Sequence, residues 1–142
     1  MKIIITGHGH FATGLQTTIE LLAGPQSNLD YVDFAEGMSE KDIHDALTKA
    51  IEGSDSTVFF TDLLGGTPFK QAVTISVESS TNIAVVAGCN VASLLEVTPL
   101  LGSYSGTAEQ LADQIVTTSK SATTHFQLKQ APSEPADDED GI

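Results

Sequence analysis

Lys2-Ile3-Ile4-Ile5-Thr6-Gly7-His8-Gly9-His10-Phe11-Ala12 is the stretch that decides the fold. Residues 2–6 form a continuous β-branched run with no polar alternation, the pattern of a strand buried on both faces of a parallel sheet. The run stops at Gly7. Beyond it Phe11, Leu15, Ile19 and Leu22 recur at spacings of 4, 4 and 3, one face of a helix that Gly24-Pro25 closes. A buried strand, a glycine turn and an amphipathic helix form the first unit of an α/β protein.

The alternation continues along the chain. Tyr31-Val32-Asp33-Phe34 reads as a second strand. Ser39 with Asp42 three residues on marks a helix start, and Ile43, Ala46, Leu47 and Ala50 follow at helical spacing. Residues 57–61 make a third strand ending at Asp62. Leu63-Leu64-Gly65-Gly66-Thr67-Pro68 is then a glycine turn, with Thr67 as a hydroxyl N-cap and Pro68 at the first position of a helix through Val77. Residues 83–87 form a fourth strand, followed by a helix from Asn90 to Leu101, a glycine and serine loop at 102–106, and a helix from Thr107 to Ser119. Strict βα alternation predicts a doubly wound parallel sheet with right-handed crossovers, helices on both faces and the flavodoxin-like strand order 2-1-3-4. Residues 123–129 alternate polar and apolar side chains, which predicts a fifth strand at a sheet edge, in this chain or in a partner's sheet. One domain therefore spans residues 1–130. Residues 131–142 carry 5 acids and no base and read as a disordered acidic tail.

Composition narrows the function. The 142 residues hold 19 acids against 6 bases, a formal charge of −13, and all six bases are lysines. Setting the tail's 5 acids aside leaves the body at −8. A chain this acidic cannot neutralise a phosphate backbone or lie on anionic lipid, which argues against nucleic-acid and membrane-surface roles. With no arginine, any bound anion must be held by backbone N–H groups, hydroxyls, a lysine or a helix N-terminus. No stretch approaches the roughly 18 apolar residues of a membrane span. Cys89 is the single cysteine, so no intramolecular disulfide forms, and the N-terminal apolar run is too short for a signal peptide. A cytoplasmic protein is the expectation.

In open α/β sheets ligands collect at the carboxyl ends of the strands, where the order reverses. With strands 1 and 3 adjacent, the loops 6–12 and 62–68 meet there, bringing a histidine beside a carboxylate among glycine amides. A carboxylate accepting the Nδ1–H of His8 fixes its tautomer and leaves the Nε2 lone pair outward, the requirement for a nucleophilic histidine. Asp62 is the candidate orienter. The Gly65-Gly66-Thr67 amides and the following helix supply the electrostatic stabilisation that an arginine would otherwise give.

His8-Gly9-His10-Phe11-Ala12-Thr13-Gly14-Leu15 resembles the H-G-x-x-A-x-G-L start of the IIA components of the mannose family of the phosphoenolpyruvate-dependent sugar phosphotransferase system. Asp62-Leu63-Leu64-Gly65-Gly66-Thr67-Pro68-Phe69 resembles that family's D-x-x-G-G-[ST]-P-[FY] signature. The resemblance implies that His8 accepts phosphate from the phosphocarrier HPr and passes it to a IIB component, and through it to a membrane IIC/IID permease. It implies a catalytic pair of His8 and Asp62, a phosphoryl pocket of Gly9, Gly65, Gly66 and Thr67, and a rim of His10, Phe11 and Leu64. It calls for no cofactor. The family is typically a homodimer that exchanges a C-terminal strand, which fits residues 123–129, whereas the acidic tail is a departure to which the resemblance assigns no role. A related branch serves dihydroxyacetone kinase; its histidine is usually followed by serine, where this chain has Gly9.

Rival readings use the same residues. Gly7-x-Gly9-x-x-Ala12 also matches a dinucleotide-binding turn, with Asp33 as its acidic residue, but that reading leaves the second motif unexplained. His8 and His10 form an H-x-H pair that can ligate a metal with Asp62, although no fourth ligand is evident. His44 and His125 read as surface residues, and Asp33 as a cap of the sheet edge. Cys89 reads as a small buried side chain with nothing adjacent to activate it.

Overall fold

A computed structural model of the protein describes residues 1–132. Four strands, β1 (Lys2–His8), β2 (Leu29–Phe34), β3 (Ser56–Thr61) and β4 (Asn82–Ala87), form one parallel sheet in the order β2-β1-β3-β4. This is the expected doubly wound order. Helices α1 (Phe11–Ala23), α2 (Glu40–Ala50), α3 (Thr67–Glu78), α4 (Val91–Val97) and α5 (Ala108–Ala122) connect and follow the strands.

The unbroken run at 3–5 explains the layering. Alternate side chains of a strand point to opposite faces, so a strand with helices on both sides needs apolar residues at every position. Ile3 and Ile5 pack with Ala12 and Ile19 of α1, Leu94 of α4 and Leu111 and Ile115 of α5. Ile4 faces the other way, with Ile43 and Leu47 of α2 and Ala72 and Ile75 of α3. All three isoleucines are fully buried, each stabilising the fold by roughly 1.5–3 kcal/mol relative to an exposed side chain.

Three local expectations are corrected. β2 begins at Leu29, because the ladder to β1 starts with Leu29 opposite Ile3. The N-cap of α3 is Gly66, with Thr67 the first helical residue, because the turn closes one residue early through Gly66 N–H donating to Leu63 O at 3.1 Å. The helix from Asn90 ends at Val97 and tightens into a 3-10 turn over Thr98–Ser103, where Pro99 lacks the N–H an α-helix needs. The fifth strand expected at residues 123–129, in this chain or in a partner's sheet, is not formed within the single chain. These residues are exposed throughout, Phe126 by 80% and Leu128 by 83%, with no strand alongside them among the described residues. The expected tail lies outside the described residues from 133 onward.

Candidate functional site: a histidine and aspartate over a helix N-terminus

β1 lies between β2 and β3, so the loop after it stands at the point where the strand order reverses. His8 is the last residue of β1, and Asp62 follows β3 directly. Gly7 lets them meet. A Cβ at position 7 would come within 2.5 Å of Phe11 Cδ1 and 2.7 Å of Asp62 Cγ, so only a bare Cα leaves room for the carboxylate across the strand end. Asp62 Oδ2 accepts the backbone N–H of His8 at 2.8 Å and lies 2.8 Å from its Nδ1.

An ionised carboxylate only accepts, so Nδ1 carries the proton and Nε2 presents its lone pair. Burial alone would raise the Asp62 pKa, but the backbone and ring hydrogen bonds from His8 outweigh it and hold the carboxyl below its usual value. The side chains divide accordingly: Asp62 is 16% exposed and His8 46%. Phe34 of β2 contacts the histidine ring edge-on, with centroids 5.6 Å apart and planes at 70°.

The other edge of the ring faces α3. A Cβ on Gly66 would lie 2.8 Å from His8 Cε1 and 3.6 Å from Nε2, so glycine here brings the N-terminus of α3 against the Cε1–Nε2 edge of the ring. The first N–H groups of a helix have no partner within it and carry a partial positive charge. Side chains take that place at α2 (Ser39), α4 (Asn90) and α5 (Thr107). At α1 the carboxylate of Asp33 does so from β2, accepting the Thr13 N–H at 3.0 Å and its hydroxyl at 2.6 Å. At α3 no side chain among the described residues caps the helix, and its first turn has no acidic residue. The amides nearest His8 Nε2 are therefore open to an anion.

The structure brings together His8, Asp62, Gly66 and Thr67, with Gly65 (φ 79°) and Gly9 (φ 59°) supplying the left-handed turns that aim the two loops. Gly9 N–H donates to Phe34 O at 2.9 Å. Leu64 is 75% exposed on the rim. Phe11, expected at the rim, instead packs against the core beneath Gly7. His10 is 90% exposed, with Nδ1 3.3 Å from Asp33 Oδ2. The sequence reading missed the roles of Gly7 and Phe34 and the brace of Thr13 and Asp33. The signal for Gly7 was its position between a buried strand and a nucleophile candidate.

Asp33 caps the start of α1, not the sheet edge. A pyrophosphate at that helix would meet this carboxylate, which weighs against a dinucleotide turn at Gly7 to Ala12. Among the described residues no three His, Cys, Asp or Glu side chains converge as a metal site. His44 Nδ1 lies 3.0 Å from Gln71 Oε1, between α2 and α3. Burial pushes the Cys89 thiol above its usual pKa. No helix among the described residues is long and apolar enough to cross a membrane.

Fold and site together define a doubly wound α/β protein with a carboxylate-oriented histidine at its switch point. Residues 2–121 match the family model described as "PTS system fructose IIA component". The chain belongs to this family, the mannose-type IIA components of the sugar phosphotransferase system, phosphocarriers in sugar uptake. It is 28% identical over 140 residues to the sorbose-specific EIIA component of Lacticaseibacillus casei, covering 97% of this chain and 99% of that one. It is 34% identical over 105 residues to the fructose-specific EIIA component of Bacillus subtilis (strain 168), covering 70% of each. The crystal structure of a phosphotransferase system EIIA component from Streptococcus agalactiae superposes with a TM-score of 0.83 at 34% identity, over 88% of this chain and 96% of that one.

Proposed function

We propose that His8 is the phosphoryl carrier of a cytoplasmic sugar-uptake relay, charged by phospho-HPr and discharged to a IIB component that serves a membrane IIC/IID permease. The observation that carries this reading is the placement of the His8 ring, with Nδ1 on Asp62 and the Cε1–Nε2 edge over the uncapped start of α3. The Nε2 lone pair attacks the phosphorus of the donor phosphohistidine. The new P–N bond forms as the old one breaks, and the donor imidazole leaves with its electron pair. Nδ1–H stays on His8, where Asp62 offsets the positive charge that develops on the ring. The phosphoryl oxygens meet the amides of Thr67 and the turn before it. This hold is weak enough for onward transfer, since no guanidinium clamp is present.

The relay works as a homodimer in this reading, with residues 123–129 laid along the open edge of β4 of a second copy. A groove of about 300 Å³ beside that edge, lined by Ile83–Val86, Ala112 and Val116, supports this, as do the exposed Phe126 and Leu128. The test is incubation with phosphoenolpyruvate, Enzyme I and HPr. An acid-labile, alkali-stable phosphate on the wild type that is absent from His8→Ala supports the relay; label that persists in His8→Ala overturns it.

A further inference from the structure

Phe34, the last residue of β2, meets the end of β1 in three ways. It is the register partner of His8, its carbonyl accepts the Gly9 N–H at 2.9 Å, and its ring stands 5.6 Å from the His8 ring with the planes at 70°. Register partners on parallel strands project to the same face about 4.8 Å apart, so the backbone itself brings the two rings together. Their T-shaped arrangement is one that aromatic quadrupoles favour. Phe34 is itself anchored. Phe34 and Met38 both pack against the cluster of Ile4, Ile43 and Phe59, and the turn between them closes through Met38 N–H donating to Ala35 O at 3.1 Å.

Asp62 and the start of α3 both reach the His8 ring from the β3 side. Asp62 uses one oxygen, Oδ2, for the backbone N–H and for Nδ1, and a single hydrogen bond to the ring tolerates a misalignment of about 30°. The His8 side chain is 46% exposed, so no packed shell removes this latitude, and Gly66 has no side chain to press on the ring. Phe34 stands on the opposite side, where β2 lies. We propose that Phe34 is a positioning residue of the transfer reaction, a backstop that fixes the plane of the His8 ring so that Nε2 stays beside the start of α3. The inference rests on His8 being the phosphorylated residue. Asp62 then sets which nitrogen attacks, and Phe34 sets where that nitrogen points. Attack requires the lone pair to line up with phosphorus, and a misplacement of about 1 Å can cost about 100-fold; a ring that swings only part of the time loses less, on the order of 10-fold. Because Phe34 acts through His8 and not on the donor, the loss falls on the transfer step whichever donor supplies the phosphate.

The test uses the full chain and two donors: phospho-HPr, regenerated by Enzyme I and phosphoenolpyruvate, and the small molecule phosphoramidate. Phe34→Leu should lower kcat at saturating phospho-HPr about 10-fold with KM unchanged, and slow phosphorylation by phosphoramidate by the same factor. Carbon relaxation at His8 Cε1 should show a more mobile ring, while the nitrogen shifts keep the proton on Nδ1. Phe34→Tyr retains the ring and should recover most of the lost rate. Phe34→Met fills a similar volume without a ring; it should behave as Phe34→Leu does, and it serves in its place if leucine unfolds the chain. A folded Phe34→Leu or Phe34→Met variant with the wild-type rate overturns the proposal while leaving the relay intact. So does a raised KM with unchanged kcat and phosphoramidate rate, which marks a docking contact, or a loss that Phe34→Tyr shares in full. Wild-type protein that acquires no phosphate on His8 overturns the relay reading, and this proposal with it.

Discussion

Gly66 and His8 are in contact across the gap between two loops: a methyl group on Gly66 would come within 2.8 Å of the ring carbon Cε1 of His8. That closeness sets the uncapped start of α3 beside the Cε1–Nε2 edge of the ring, where the proposed phosphoryl group would sit. It also explains why position 66 takes a glycine although its φ of −68° suits any residue.

Gly66→Ala should therefore leave the fold intact and turn the His8 ring away from the helix. Phosphoryl transfer should slow on the order of 10-fold, with a stability loss of about 1 kcal/mol. Stopped-flow transfer and thermal melts measure the two effects. Gly7→Ala should be harsher, because the new Cβ meets both Phe11 and Asp62; about 1–3 kcal/mol is expected from overpacking. Equal, negligible effects of both substitutions would contradict the geometry.

Asp62→Asn exchanges an acceptor for a group that can also donate toward Nδ1, favouring the wrong tautomer or orientation. Transfer should fall on the order of 100-fold with the circular dichroism spectrum unchanged. An unaltered rate would remove Asp62 from the mechanism.

The carboxyls of Asp62 and Asp33 are both held below their usual pKa. At Asp62 burial opposes the hydrogen bonds from His8, and at Asp33 burial opposes those from Thr13 and His10. A depressed folded pKa means that the unfolded chain binds protons more readily. The stability these groups contribute is full above about pH 4 and is lost as pH falls through the lowered folded values. Acid unfolding of Asp62→Asn and Asp33→Asn should accordingly be less steep in pH than that of the wild type. Identical acid limbs would show that the pairs make no contribution.

Removing residues from 123 onward should weaken self-association while leaving the four-stranded sheet folded, since residues 123–132 are exposed and contribute no strand to that sheet. Sedimentation velocity reads the outcome, and a dimer of unchanged affinity would exclude strand exchange.

Much of the fold was legible because every strand except β2 announced itself as an apolar run bounded by glycine, proline or a polar turn. β2 was short in the reading because Leu29-Asp30 becomes strand through pairing with Ile3 and Ile4, a nonlocal cause. The cap at Thr67 was misassigned for a similar reason: local propensity favours the hydroxyl, but the hydrogen bond from Gly66 to Leu63 sets the turn. At the site, His8 and Asp62 were readable from two motifs and a strand order. Asp33 was not, because its role depends on reaching from β2 to the start of α1, where the sequence supplies no side-chain cap.

The most direct test of the central claim is to map the phosphorylated atom by phosphorus–proton correlation NMR on the full chain charged through HPr. The account predicts a single phosphate on Nε2 of His8, with the Nδ1 proton retained on the Asp62 side. Phosphate on Nδ1 of His8, or on any other residue, would contradict it.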